Sequence, residues 1–251
     1  MNFINPPSET PKNITHKTFY SKILNHEIGY NIYLPPDYDG SEKVFPSVYH
    51  IHGWTGNESS EIWSLEKAYR SRQAITVFVN AVSSEDNYFD ALLQVESIII
   101  EELIPHIERQ YRTYTTRENR MISGFSMGGA QAFYYAVKYP ELFCAVTPYA
   151  GTYHHQYHKD YNGVSEPLEK AAEIYHTMMG EQKYFEKDSI LFLIKQNAEK
   201  IHGKLYIDIR IGTDDILICD NEIMHMYLDS LNIPHEYKRF KGIGHELNKI
   251  L

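Results

Sequence analysis

The reading of this chain turns on Ile122-Ser123-Gly124-Phe125-Ser126-Met127-Gly128-Gly129, followed by Ala130-Gln131-Ala132-Phe133-Tyr134-Tyr135. Arg120-Met121-Ile122 ahead of it reads as a β-strand, and the apolar-rich run behind it reads as a helix. In that setting G-x-S-x-G is a nucleophile elbow. The reason is steric. A serine raised on a very tight strand-to-helix turn needs small neighbours, and Gly124 and Gly128 meet that need. Gly129 lets the helix begin close to the sheet. The turn also sets Ser126 at a helix N-terminus, where free N–H groups stabilise negative charge. A plain strand–turn–helix junction with an N-capping serine shares some of these letters, but the flanking pattern favours the elbow. Ser126 is the nucleophile candidate.

Outward from the elbow, strands and helices alternate. Ile14 to Lys22 and His26 to Leu34 alternate apolar and polar residues around Asn25-His26, the pattern of an antiparallel hairpin. Ser47 to His52 reads as a buried strand ending at Gly53. A helix around Ile62 to Arg72, a strand from Thr76 to Val82 and a long helix from about Ala91 to Tyr111 follow, with Pro105 predicting a kink or break. After the elbow come a strand near Phe143 to Pro148 and a lid-like insertion at about 151–203. A strand from Lys204 to Ile211, a helix near Asn221 to Leu231 and a strand from His235 to Phe240 complete the pattern. This order predicts an α/β class fold: one domain over 1–251, with a mostly parallel central sheet, helices on both faces and an antiparallel N-terminal hairpin.

Composition narrows the partners. The 251 residues carry a formal charge of −9 and no basic run, which argues against nucleic acid. Hydrophobic content of 43% and charged content of 23% are those of a soluble globular protein. The N-terminal MNFINPPSETPKN has neither a basic region nor a long apolar one, and no apolar run approaches the ~20 residues of a membrane span. No signal peptide, no membrane partner and a cytoplasmic location are the expectations. Cys144 and Cys219 form no disulfide framework, and Cys144 reads as a buried small hydrophobe.

A serine hydroxyl needs a base, and the base needs an acid to orient it. Among thirteen histidines, His245 follows the last strand in the loop Gly242-Ile243-Gly244-His245 and comes last in the order Ser, Asp, His of nucleophile-elbow folds. His106, His176 and His225 fall in helices and His16, His26 and His235 near strands or turns, where structural or solvated roles are expected. His52 is suited to orienting a loop. For the acid, Gly212-Thr213-Asp214-Asp215 ends the penultimate strand, and spacing leaves both aspartates open; Asp220 reads as a helix cap. The oxyanion donors expected are the N–H groups of Met127 and Trp54, the latter in His52-Gly53-Trp54-Thr55-Gly56. His154 and His158 would share a helix face, but no further ligand set completes a metal site, so neither metal nor cofactor is expected. Tyr153, Tyr157 and Tyr161 are placed in an aromatic lid, with Tyr153 and Tyr157 as substrate contacts.

Together these segments resemble the esterase branch of the α/β-hydrolase superfamily, which includes feruloyl and acetyl-xylan esterases, S-formylglutathione hydrolases, enterochelin esterases and mycolyltransferases. The resemblance runs through IYLPPDY, FPSVYHIHGWTGNE, VESIIIEELIPHIERQYRT, RMISGFSMGGAQAFYYAVKYPELF, RIGTDDILICDN and LNIPHEYKRFKGIGH. It implies that the acid stands three residues after the glycine of G-x-x-D, which is Asp215. It also implies ester hydrolysis through an acyl-enzyme on a small-molecule ester, with a short acyl chain or an aromatic acyl group on a sugar. Acyl transfer by the same triad is the alternative; a non-catalytic binding module is disfavoured by the complete residue set. One departure is that only six residues follow His245, so any helix there is expected to be short.

Overall fold

The computed structural model describes residues 2–81, 94–153 and 166–251. They divide into two compact units, Met1–Ile122 and Ser123–Leu251. In the first, β1 (Ile14–Ser21) and β2 (His26–Tyr33) form the expected antiparallel hairpin, in register from Ile14↔Tyr33 to Ser21↔His26. Asn25 takes the tight turn at φ 55°. β2 runs antiparallel to β4 (Ile75–Val79), which in turn pairs in parallel with β3 (Ser47–Ile51). Every residue of β3 and β4 is buried, which explains why SVYHI and ITVFV show no polar alternation.

Helix α1 (Glu66–Ser71) is shorter than its periodicity predicts, because the residues ahead of it are drawn into turns. In those turns Glu61 reaches back to accept from Gly53 N–H. The long helix near residue 100 is distorted at its proline rather than broken, its helical backbone running on through Leu103 and Ile104. Ile98–Leu103 is π-helical, with Ile104 N–H donating to Ile99 O, and an α-helix, α2 (Ile104–Gln110), begins around Pro105. Proline brings no N–H and crowds the carbonyl four residues back, so a widened turn relieves the clash. Strand β5 (Arg120–Phe125) runs across the division between the units.

In the second unit the elbow helix α3 (Met127–Lys138) is buried over nearly its whole length. β6 (Ala145–Tyr149), β7 (Tyr206–Gly212) and β8 (Glu236–Phe240) pair in parallel. Cys144, expected to be buried, is only half-buried just before β6, while Cys219 is buried. From residue 166 to 203 the chain is mostly helical, with α4 (Ala171–Gly180), α5 (Ile190–Gln196) and α6 (Ala198–Ile201). Ser189 caps α5 by accepting from Phe192 N–H at 3.2 Å. Helix α7 (Ile218–Ser230) precedes β8. Among the described residues no helix is long and apolar enough to cross a membrane.

Candidate active site

Between β5 and α3, Ser126 adopts φ 56°, ψ −118°. A non-glycine residue in this region costs about 1–3 kcal/mol, so the surroundings must hold it there. They do so through the backbone. Ser126 N–H donates to Tyr149 O at 2.9 Å, and the Ser126 carbonyl accepts from Ala130 N–H at 3.1 Å and Thr152 N–H at 3.2 Å. The turn is so tight that a Cβ on Gly124 would stand 2.1 Å from Gly128 O. A Cβ on Gly129 would meet Tyr149 O at 2.9 Å, so the helix does start close to β6. Met127 is the first residue of α3, and its N–H precedes the first i→i−4 bond of the helix.

The two aspartates after β7 differ sharply in environment. Asp214 is exposed, its Oδ1 accepting from Thr213 Oγ1 at 2.8 Å. Asp215 is 2% exposed, with Oδ1 accepting from Leu217 N–H at 2.9 Å and Oδ2 at 2.8 Å from His245 Nδ1. The His245 ring packs on Phe125, the residue before Ser126, with centroids 4.5 Å apart. Its side chain keeps 30% exposure.

The short C-terminal segment anchors the His245 loop well. Leu247 and Ile250 are buried, each contributing about 1.5–3 kcal/mol of apolar burial. Gly242 N–H donates to Thr213 Oγ1 at 2.9 Å and Asp214 N–H to Ile243 O at 3.0 Å. The backbones of the Asp215 and His245 loops meet so closely that a Cβ on Gly212 would lie 1.9 Å from Ile243 O.

Asp215 and His245 are therefore brought together. The Ser126 hydroxyl, in contrast, has its hydrogen bond with Thr152 Oγ1, at 3.3 Å. Thr152 escaped the sequence reading because its hydroxyl has no motif of its own; only its place just after β6 brings it to the elbow.

In the first unit, the loop that carries Trp54 is pinned from two sides. Glu61 Oε1 accepts from Gly53 N–H at 2.9 Å and Oε2 lies 2.5 Å from His50 Nε2. His52 is 2% exposed; Ala81 N–H donates to its Nε2 at 3.0 Å, so Nδ1–H donates to Gly53 O at 2.7 Å. Burial is the largest influence on the imidazole and lowers its pKa below the ordinary value, holding the ring neutral. His52, expected to orient this loop, bonds the Gly53 carbonyl within it. Trp54 itself is 54% exposed.

Tyr153, expected against substrate, is fully buried and packs edge-on to Phe133 at 5.9 Å. Burial, then the charge of Asp220, raises its phenol pKa. Tyr157, Tyr161, His154 and His158 lie outside the described residues.

The family model described as "Putative esterase" matches residues 21–247. The chain belongs to the Esterase family. An esterase of Mycobacterium tuberculosis is 28% identical over 156 residues, covering 57% of this chain and 33% of that protein. An endo-1,4-beta-xylanase/feruloyl esterase of Xylanibacter ruminicola is 29% identical over 151 residues, covering 52% of this chain and 20% of its own length. The chain thus spans a third or less of these curated relatives. Among solved structures, a ferulic acid esterase superposes with a TM-score of 0.72 at 22% identity, covering 94% of this chain and 92% of that one. An S-formylglutathione hydrolase of Staphylococcus aureus does so with a TM-score of 0.71 at 15% identity, covering 96% and 94%. At such identities the likeness concerns the fold, which is that of the α/β hydrolases.

Proposed function

We propose that this Esterase-family chain is a serine carboxylesterase working through an acyl-enzyme. The observation that carries the reading is the 2.8 Å bond between Asp215 Oδ2 and His245 Nδ1. An imidazole that gives its Nδ1–H to a buried carboxylate keeps its lone pair on Nε2, the tautomer a general base needs. On this reading Nε2 takes the Ser126 proton as Oγ attacks the acyl carbon. The Ser126 hydroxyl then exchanges its contact to Thr152 for the imidazole, a tightening expected once substrate is bound. The protonated imidazole next gives its proton to the departing alcohol. Water, activated by the same nitrogen, releases the acid.

Met127 N–H supplies one oxyanion donor, and the sequence pattern assigns the other to Trp54 N–H. Removing a donor of this kind costs about 3–4 kcal/mol of barrier lowering. The names of the relatives, a xylanase/feruloyl esterase, a ferulic acid esterase and an S-formylglutathione hydrolase, support an acyl group that is aromatic or short, and the xylanase partner of the first supports a carbohydrate alcohol.

A fluorophosphonate probe tests the nucleophile. It labels the intact protein and spares Ser126→Ala; label that persists in the variant overturns the assignment. Hydrolysis rates on p-nitrophenyl esters from acetyl to decanoyl, on methyl ferulate and on S-formylglutathione then define the acyl group.

A further inference from the structure

Toward the C-terminal end of α7, two histidines and an aspartate converge. His225 Nδ1 lies 2.7 Å from His235 Nε2. His225 Nε2 lies 3.5 Å from Asp229 Oδ2, and His235 Nε2 lies 3.9 Å from Asp229 Oδ1. One ligand atom from each residue falls within 4.8 Å of the other two. His225 and Asp229 share a face of α7 at i and i+4, and His235 arrives through the turn that leads into β8.

Both rings are held in orientation. His235 is buried, its side chain 3% exposed, and its Nδ1–H donates to Ile233 O at 2.8 Å. That bond leaves the lone pair on Nε2, facing His225. The His225 ring stacks on Tyr237 with centroids 4.4 Å apart and an interplanar angle of 27°. A backbone carbonyl fixing one nitrogen of the His235 ring while the other keeps its lone pair is the outer-sphere arrangement that prepares a histidine ligand.

The neutral pair leaves a conflict. If His225 Nδ1–H donates to His235, then His225 Nε2 turns a lone pair toward a carboxylate. A divalent ion takes the place of the proton between the rings: Nδ1 of His225, Nε2 of His235 and a carboxylate oxygen of Asp229 become its ligands, and the His225 proton moves to Nε2. We propose that His225, His235 and Asp229 form a binding site for a borderline divalent transition ion of the Zn²⁺ type, joining the end of α7 to the start of β8.

Two imidazoles and one carboxylate suit Zn²⁺ better than the oxygen-seeking Ca²⁺ or Mg²⁺. Nitrogens 2.0–2.1 Å from a tetrahedral ion stand about 3.3 Å apart. The 2.7 Å pair must therefore open slightly, while Asp229, whose side chain is 63% exposed, turns in from solvent. A fourth position is left to water.

Tag-free protein stripped with chelator, then titrated with Zn²⁺ and with Co²⁺, tests the site. The expected results are one tightly bound Zn²⁺ by calorimetry and the visible bands of tetrahedral Co²⁺. A Tm gain of roughly 5–10 °C is expected at hundredfold excess over Kd. His225→Phe, which keeps a ring on Tyr237, loses all three. Asp229→Asn, at an exposed position, binds about tenfold or more weakly. Metal-free Tm and circular dichroism show that each variant folds. Absence of Co²⁺ bands in the wild type overturns the proposal. So do bands and a Tm gain that survive unchanged in both variants, which would move the ion to other histidines.

Discussion

Gly124 passes so close to Gly128 that a Cβ on the first would stand 2.1 Å from the carbonyl oxygen of the second. The obstacle is backbone, which cannot swing aside as a side chain would, so the Ser126 turn has no room to adjust. Gly124→Ala is expected to cost about 3 kcal/mol or more and to lower Tm accordingly. Gly212→Ala, aimed at Ile243 O 1.9 Å away, is expected to do the same and to displace the loop carrying His245. Gly180, at the end of α4 with nothing within 4 Å, is the control. Gly180→Ala should gain about 0.5–1 kcal/mol. Thermal melts of the three variants decide the matter; a Gly124→Ala protein that melts like wild type refutes the steric argument.

Asp215 and Asp214 offer a matched pair of carboxylates. Asp215→Asn presents an amide N–H or carbonyl to His245 and loses the carboxylate that fixes the tautomer. A fall in kcat of about 10⁴-fold is expected on p-nitrophenyl acetate. Asp214→Asn touches only a neighbouring hydroxyl and should keep kcat within about twofold. Equal losses in the two variants contradict the assignment of Asp215.

If Trp54 N–H is the second oxyanion donor, Glu61 becomes a positioning residue, because one carboxylate bonds both Gly53 N–H and the His50 ring. Glu61→Gln keeps the volume but turns one acceptor oxygen into an NH2 donor, so either Gly53 N–H loses its acceptor or the His50 ring must change tautomer. The expected result is kcat lower by about 10–100-fold with KM little changed, a transition-state loss. Steady-state kinetics with an unchanged kcat would remove Trp54 from the proposed mechanism.

Acid should destabilise the fold in a defined window. Burial is the main reason that the pKa values of His52 and His106 fall below the ordinary 6.5. Between the lowered folded value and 6.5 the unfolded chain binds more protons than the native one, so stability falls as pH falls through that range. Above 6.5 the contribution is complete. For His52 the cause is concrete: protonating Nε2 removes the acceptor of Ala81 N–H. Tm measured from pH 8 to pH 5 should decline below about 6.5. The decline should be shallower in His52→Gln; an identical profile in that variant assigns the acid sensitivity elsewhere.

The elbow was legible in the letters because its causes are local. A tight strand-to-helix turn needs glycine on either side of the serine, and those residues lie within five positions of one another. The hairpin, the parallel strands and the distorted helix turn ahead of Pro105 follow from short-range periodicity and from the missing proline N–H in the same way. Spacing could not choose between Asp214 and Asp215, because adjacent carboxylates differ only in the environment that folding gives them: one stays in water, the other is buried between Leu217 N–H and His245.

Other features depended wholly on packing. Tyr153 looked like a lid residue, yet its ring sits in the core against Phe133. His225 and His235 read separately as a helix residue and a turn residue; their 2.7 Å contact exists only because the turn after α7 folds β8 back beside that helix. The sequence alone determined the backbone geometry around Ser126 and the order of strands and helices, since both arise from sterics and hydrogen bonds between near neighbours. Residue spacing left the choice of carboxylate open until the resemblance pointed to Asp215, and only the tertiary structure decided which hydroxyl faces Ser126 and which aspartate is buried, because such meetings are set by how distant loops pack, and pairwise spacing carries no record of that.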